Sequence, residues 1–230
     1  MDLDDFRLFI EVQLMGAVNC CKAVCDVMCT QNYGRIVMTS ASSGLYGNFG
    51  QANYGAAKMA LVGLMQTLII ECAKNNIRVN CLAPTAATRM MEHLMSDAVL
   101  KLLQPDAVTL GLLALVVEKA PTRAILRAGA GGFERAHITL TEGIFVGIPD
   151  NASEQVAARF VELSQRNGET VPQSGAAQGT CEITKASYAL ARQPWCGLNW
   201  PVCMPPTCWS CRLFRLRSRA AASQIRRTYP

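Results

Sequence analysis

Apolar side chains recur every three or four positions over residues 5–29, at Phe6, Phe9, Ile10, Leu14, Val18, Cys21, Val24, Cys25 and Met28. That spacing predicts one face of a long helix. After Gly34, the run Arg-Ile-Val-Met-Thr-Ser at 35–40 is short and bounded by turn residues, which predicts a buried parallel strand. Residues 41–51, with Gly44, Gly47, Asn48 and Gly50, predict a loop, and residues 53–75 are apolar on more than one side, as a buried helix is. The run Ile-Arg-Val-Asn-Cys-Leu-Ala at 77–83 predicts a second strand, stopped by Pro84. Strand, crossover helix and strand make a βαβ unit, so the fold class is α/β. Further along, helices are expected over 88–103 and 106–118, and a strand or hairpin over 133–146 turning at Glu142 and Gly143. Gly-Ala-Gly-Gly at 129–132 reads as a loop. Asn151 and Glu154 have capping-box spacing and open a helix expected to close at Asn167 and Gly168.

Composition narrows the class. Hydrophobic residues make up 50% of the 230 positions and charged residues 17%, which excludes disordered and collagen-like chains and predicts one globular domain. The longest nearly unbroken apolar stretch, 107–117, falls short of the roughly 18 residues a membrane span needs, so no membrane partner is expected. The acidic N-terminus, Met-Asp-Leu-Asp-Asp, is unlike a secretory signal and predicts a cytoplasmic chain whose eleven Cys are mostly reduced. Charge is unevenly spread: residues 1–182 carry a balance of −3 and residues 183–230 one of +8, with no acid beyond Glu182. The second segment also holds Trp195, Trp200 and Trp209. A boundary is therefore placed near 183, separating a domain at 1–182 from a basic tail at 183–230 read as disordered or non-native. Its arginines are assigned to that tail rather than to a nucleic-acid or membrane surface. Cys208 and Cys211 form a single pair, too few for a four-thiolate zinc site, and Cys20, Cys21, Cys25 and Cys29 read as small core residues, so no metal is expected. His93 and His137 have no Ser or Cys nucleophile at recognisable spacing, and a hydrolase triad is not supported.

Tyr54 and Lys58 stand four apart on the expected buried helix and so share a face. A free phenol, with a pKa of about 10, is a poor acid or base near neutrality, but an ammonium one turn away would stabilise the phenolate and lower that value. Tyr54 could then exchange a proton with an alcohol or carbonyl oxygen. Alone, Tyr-x-x-x-Lys is short enough to be an accidental helical pair.

Its surroundings carry more. Tyr-Gly-Ala-Ala-Lys at 54–58, preceded by Gly-Asn-Phe-Gly-Gln-Ala-Asn at 47–53 and by Gly-Arg-Ile-Val-Met-Thr-Ser at 34–40, and followed by Ile-Arg-Val-Asn-Cys-Leu-Ala-Pro at 77–84, resembles the short-chain dehydrogenase/reductase family. The likeness runs in order over residues 5–95. Gly-Asn-Phe-Gly-Gln-Ala-Asn-Tyr and Ala-Pro-Thr-Ala-Ala-Thr-Arg at 83–89 look like the branch that contains the 3-hydroxyacyl-CoA dehydrogenase unit of peroxisomal multifunctional β-oxidation enzymes and bacterial relatives.

The resemblance implies an NAD(P)-dependent oxidoreductase acting on a 3-hydroxyacyl-CoA or similar secondary alcohol. Tyr54 would transfer the proton, Lys58 would lower its pKa and hold the nicotinamide ribose, and Pro84, Thr85 and Thr88 would line the nicotinamide and diphosphate side. The family's substrate-binding serine falls at Ala41, leaving Ser40 and Ser42 as candidate substitutes, and Gln13 stands where the family has the Asn of a water relay. The family's glycine-rich first turn has no counterpart in the right context. The expected architecture is thus the C-terminal part of a Rossmann-like doubly wound parallel sheet with its first βαβ half missing, which makes cofactor binding weak or absent and activity impaired. A catalytically inactive remnant is the alternative. Residues 35–39 would form an exposed sheet edge, a homodimer through the helices at 5–29 and 53–75 is expected, and the family also includes peroxisomal members.

Overall fold

The computed structural model describes residues 2–88 and 96–192. One compact unit covers Met1–Ala186, and a second begins at Ser187, of which only the end of the last helix is described.

The chain opens with α1, Leu3–Phe9, capped by the Asp2 carboxylate, which accepts from Asp4 N–H at 2.9 Å. One π-helical stretch, Ile10–Met15, leads without a break into α2, Gly16–Thr30, so the predicted long helix is present with one widened turn. β1, Gly34–Thr39, leads through α3, Ser42–Tyr46, to α4, Ala52–Glu71, and β2, Ile77–Thr85. Beyond residue 95 come α5, Asp97–Leu102; α6, Pro105–Val116; β3, Ile125–Gly129; and β4, Gly132–Ala136. Two short helices, α7, Ala152–Ala158, and α8, Phe160–Leu163, precede α9, Gly175–Arg192.

The sheet order is β1-β2-β3-β4. β1 and β3 flank β2 in parallel, and β4 returns antiparallel to β3. β1 is an edge strand, as expected. β2 is central and buried on both faces, and its side chains alternate between two cores. Val79 and Cys81 join Met38, Leu61, Val62 and Met65 under α2 and α4, whereas Leu82 meets Leu115 of α6 and Ala128 of β3. Val62 and Met65 have no exposed surface, and burying side chains of this size contributes about 1.5–3 kcal/mol each. Asn80, also fully buried, is satisfied: its Nδ2 donates to the Pro121 carbonyl at 2.8 Å and its Oδ1 accepts from Ala124 N–H at 2.9 Å. Cys21 is buried and Cys25 and Cys29 pack against the same cluster, so these three thiols are core, whereas Cys20, also expected there, is exposed on the outer face of the helix; burial pushes the Cys81 thiol up to about 12.

Several expectations are corrected. Pro84 does not stop β2, which runs on to Thr85. Ser40 N–H donates to the Leu82 carbonyl, so by alternation the backbone of residue 84 faces the same flank, where β1 has already ended and no partner strand needs its N–H. The hairpin lies not at Glu142 and Gly143 but between β3 and β4, turning at Ala130 and Gly131, so residues 129–132 are a hairpin turn and His137 follows a strand rather than sitting in one. The presumed loop at 41–51 contains α3. Of the helix expected over 88–103 only α5 is seen, residues 89–95, with His93, lying outside the described set. The helix after Asn151 breaks at Arg159 and ends at Leu163; Asn151 accepts from Gln155 Nε2 instead of capping, and Ser153 donates to Glu154. α9 runs through the boundary placed near 183, and the division into compact units falls close by, between Ala186 and Ser187. The tail's Trp residues, its arginines beyond Arg192 and the Cys208 and Cys211 pair lie outside the described residues. Two helical stretches, Leu3–Thr30 and Asp97–Val116, are long and apolar enough to cross a membrane by length and composition. The first is α1 with α2, whose inner face packs against α4, and α5 and α6 interrupt the second at Leu103 and Gln104.

Candidate active site

In an open parallel sheet the strand ends that face ligands are the C-terminal ones. Here Thr39 ends β1 with Ser40 just beyond it, Pro84 and Thr85 end β2, and the first turns of α4 bring Tyr54 and Lys58 to the same side of the sheet. The Lys58 Nζ lies 5.6 Å from the Tyr54 ring centroid. The two side chains therefore share one helix face, as their spacing requires.

Two hydrogen bonds fix α4 to the end of β1. The buried Ser40 hydroxyl donates to the Lys58 carbonyl at 2.9 Å, and the Lys58 ammonium donates to the Thr39 carbonyl at 2.8 Å. A third restraint is steric: a Cβ built on Gly44 would lie 2.9 Å from Lys58 Cβ and from Met59 N, so α3 presses directly onto α4 beside the lysine. Phe9 meets Tyr54 edge-to-face with centroids 6.1 Å apart, which ties the ring to the first helix.

Both titratable groups are pushed toward their neutral forms. Burial raises the Tyr54 phenol above its usual value, and burial lowers the Lys58 ammonium below its own. The expected depression of Tyr54 by Lys58 is thus corrected: the ammonium points its proton at Thr39, and among the described residues no carboxylate pairs with it. At neutral pH the phenol keeps its proton, so it could give that proton to a carbonyl oxygen and take it back in the reverse direction.

The remaining expected residues divide. Ser40 is committed to the Lys58 carbonyl and so is turned into the α4 packing. Ser42 is exposed at the start of α3. Ala41, between them, is buried and has no hydroxyl to offer. Pro84 and Thr85 are half-buried at the end of β2, and Thr88 is exposed. Gln13 lies half-buried inside the π-helical stretch, which packs on α4; a widened turn of this kind often marks a functional position. Neither this turn nor α3 leaves a mark in the pattern of apolar and polar residues. A Gly44 and Gly55 pair was available, but close approach follows from it only when the partner surface is known: a Cβ on Gly55 would meet the Ser43 carbonyl at 3.0 Å.

Comparisons with known proteins place this geometry. Residues 1–98 match the short chain dehydrogenase family model. A protein of Mycobacterium tuberculosis named as a short-chain type dehydrogenase/reductase is 37% identical over 169 residues, 73% of this chain and 59% of its own length. Peroxisomal multifunctional enzyme type 2 of Drosophila melanogaster is 41% identical over 140 residues, 60% of this chain and 23% of that protein. The solved structure of the full-length Drosophila enzyme superposes with a TM-score of 0.71 at 28% identity, covering 82% of this chain and 35% of the other. The chain thus spans less than two thirds of the length of each of these relatives, from 23% to 59%. With the Tyr54 and Lys58 pair at the parallel strand ends, the chain is similar to the short-chain dehydrogenases/reductases, through the family model over residues 1–98, and among them to the peroxisomal multifunctional enzymes.

Proposed function

We propose that the chain is an NAD(P)-dependent oxidoreductase that interconverts a 3-oxoacyl and a 3-hydroxyacyl thioester, or a similar ketone and secondary alcohol, at the C-terminal ends of β1 and β2. The observation that carries the reading is the placement of the Tyr54 phenol and Lys58 ammonium together at that sheet end.

The residues present fit one end of the dinucleotide. Lys58, beside Tyr54, would hold the nicotinamide ribose, and Pro84, Thr85 and Thr88 would line the nicotinamide and diphosphate side. No glycine-rich strand-to-helix turn occurs among the described residues, and 129–132 joins two antiparallel strands, so it does not cradle a pyrophosphate. When bound, the dinucleotide supplies or accepts the hydride. Tyr54 donates its proton to the ketone oxygen as the alcohol forms, and Lys58 holds the ribose. Ala41 offers no hydrogen bond to the substrate oxygen, an omission worth about 100 to 1,000-fold in turnover, so the rate is low.

A second reading, a non-catalytic family member that acts through subunit pairing, is favoured by Ala41 and by the engaged Ser40 hydroxyl. Exposed Leu8, Val12 and Val27 on the first helix and Met59 on α4 fit a homodimer through these helices. Reduction of acetoacetyl-CoA, followed by loss of NADH absorbance, separates the two. The first reading expects slow turnover that Tyr54→Phe abolishes, together with a thermal shift by NADH. No thermal shift up to millimolar NADH or NADPH, and no turnover, would establish the second.

A further inference from the structure

The two ends of α4 serve different surroundings. Tyr54 and Lys58 occupy its beginning, whereas Ile69 and Ile70, near its end, wall a cavity of about 340 Å³ at the opposite pole of the sheet, where β3 begins and β4 ends. Fifteen helical residues separate Tyr54 from Ile69, about 22 Å along the axis. The cavity is therefore separate from the candidate active site.

Its lining is divided by chemistry. Ile69, Ile70 and Ile138 supply an apolar wall, and Arg123, Arg135 and His137 supply all the ionisable groups, with no Asp or Glu among the residues that line it. The Arg123 guanidinium is held in place by neutral acceptors: its Nε donates to Gln66, its Nη1 to Gln173 Oε1 at 3.0 Å and its Nη2 to the Pro172 carbonyl at 2.6 Å. Arg135 Nη2 donates to the Arg123 carbonyl at 3.4 Å, again a neutral group. Neither guanidinium has an ion-pair partner among the described residues, unlike Arg35, Arg127, Arg159 and Arg166, each of which faces a glutamate. Two uncompensated cations at the rim of a concave, partly apolar space create a local positive potential, and the space is of the size that small-molecule ligands occupy.

We infer that this cavity binds an amphipathic organic anion, a carboxylate with an aliphatic chain, its head between Arg123 and Arg135 and its chain along Ile69, Ile70 and Ile138. The carboxylate completes the donors that the neutral acceptors leave, through charge-assisted hydrogen bonds, and the chain removes exposed apolar surface from water. Ile70 and Ile138 are each about half exposed without it. This site stands independently of the oxidoreductase reading, since nothing in it touches Tyr54.

The test is calorimetric titration of the full chain with dodecanoate below its micelle concentration, beside dodecanol and dodecyltrimethylammonium, with methyl-labelled isoleucines followed by NMR. The inference expects dodecanoate to bind better than either control and to shift the Ile69, Ile70 and Ile138 methyls. Arg135→Gln should weaken binding about tenfold, the scale of one lost charge-assisted bond, and Arg135→Lys should restore most of it. Ile138→Glu, a change at an exposed position, should abolish it. Equal binding by Arg135→Gln, equal binding of the cationic analogue, or methyl shifts elsewhere in the chain would overturn the assignment, the last by tracing the heat to the arginine-rich C-terminal segment. Should Arg135→Gln fail to fold by circular dichroism, the wild-type methyl shifts decide alone.

Discussion

Replacing Lys58 by methionine should stabilise the fold while removing the chemistry proposed for it. Lys58 is 7% exposed, sits in a helix packed on the sheet, and has one described hydrogen bond from its ammonium, to the Thr39 carbonyl. Taking an ammonium out of water costs several kcal/mol even after relaxation, and one neutral acceptor offsets only about 1–3 kcal/mol of that. Methionine keeps the length and apolar volume of the stem, removes the charge, and leaves the Thr39 carbonyl unpaired at a cost of about 1–2 kcal/mol. The balance favours Lys58→Met by about 1 kcal/mol at pH 7, a rise in Tm of about 2–4 °C for a domain of this size. The sign of the pH dependence is fixed by the lowered pKa. Below the folded value both states carry the proton and the burial penalty is complete. Between the folded value and the unfolded one of about 10.4 the folded chain has released its proton and the unfolded chain has not, so wild-type stability rises with pH through that window. The advantage of the methionine variant should therefore shrink as pH rises toward 10. Scanning calorimetry of both proteins at pH 7 and pH 10 measures it. A variant less stable than wild type by 1 kcal/mol or more at pH 7, with a difference independent of pH, would show that the lysine is a structural support and would refute the burial-cost reasoning.

Ala41 holds the N-cap position of α3 with an extended backbone and no side-chain bond, so Ala41→Ser should add about 1 kcal/mol of helix capping, seen in thermal melts, and raise acetoacetyl-CoA turnover about 100-fold. Asn80→Leu strands the Pro121 carbonyl and the Ala124 N–H in a fully buried place and should cost about 2–4 kcal/mol in urea denaturation with an unchanged m-value. Because burial lifts the Tyr54 phenol above its usual value, ultraviolet titration of the wild type should contain one ionisation above pH 10 that Tyr54→Phe removes; its loss from the region near neutrality instead would contradict the acid role.

What could be read from the residues alone follows the strength of the local signal. The nine apolar positions of the first helix and the β-branched run after Gly34 have only one structural solution at their spacing, and both elements appear at the expected places. The middle of the chain is less legible because its elements are defined by partners. β3, with Arg127 in its centre and Gly129 at its end, has little strand signature by itself; it forms because β2 offers a parallel edge from Cys81 to Thr85. At its end a Cβ on Gly129 would meet the Thr85 carbonyl at 2.7 Å, so this glycine serves close strand approach rather than phosphate binding. The Tyr54 and Lys58 pair was visible as a spacing. Its electrostatic state was not, since the direction of each pKa depends on how far packing strips water from the group, and no spacing records that.

The end of β1 shows why a single register position decides so much. Side chains alternate across a strand, so Met38 and Ser40 share one side, and Met38 belongs to the core beneath α4. A hydroxyl at position 40 therefore enters the packing against that helix, where the Lys58 carbonyl claims it at 2.9 Å. Position 41 is the first at which the chain leaves the sheet and turns into α3, and a hydroxyl there would be free of that claim. A serine one residue earlier is thus no substitute for a serine at 41: its hydroxyl is already engaged in anchoring α4 and is not free for the substrate oxygen of the proposed reaction. Ser42, one residue later, is carried outward as the first residue of α3. Composition alone counts three serines within four positions, yet the alternation of the strand and the start of a helix leave the one place between them filled by a methyl group.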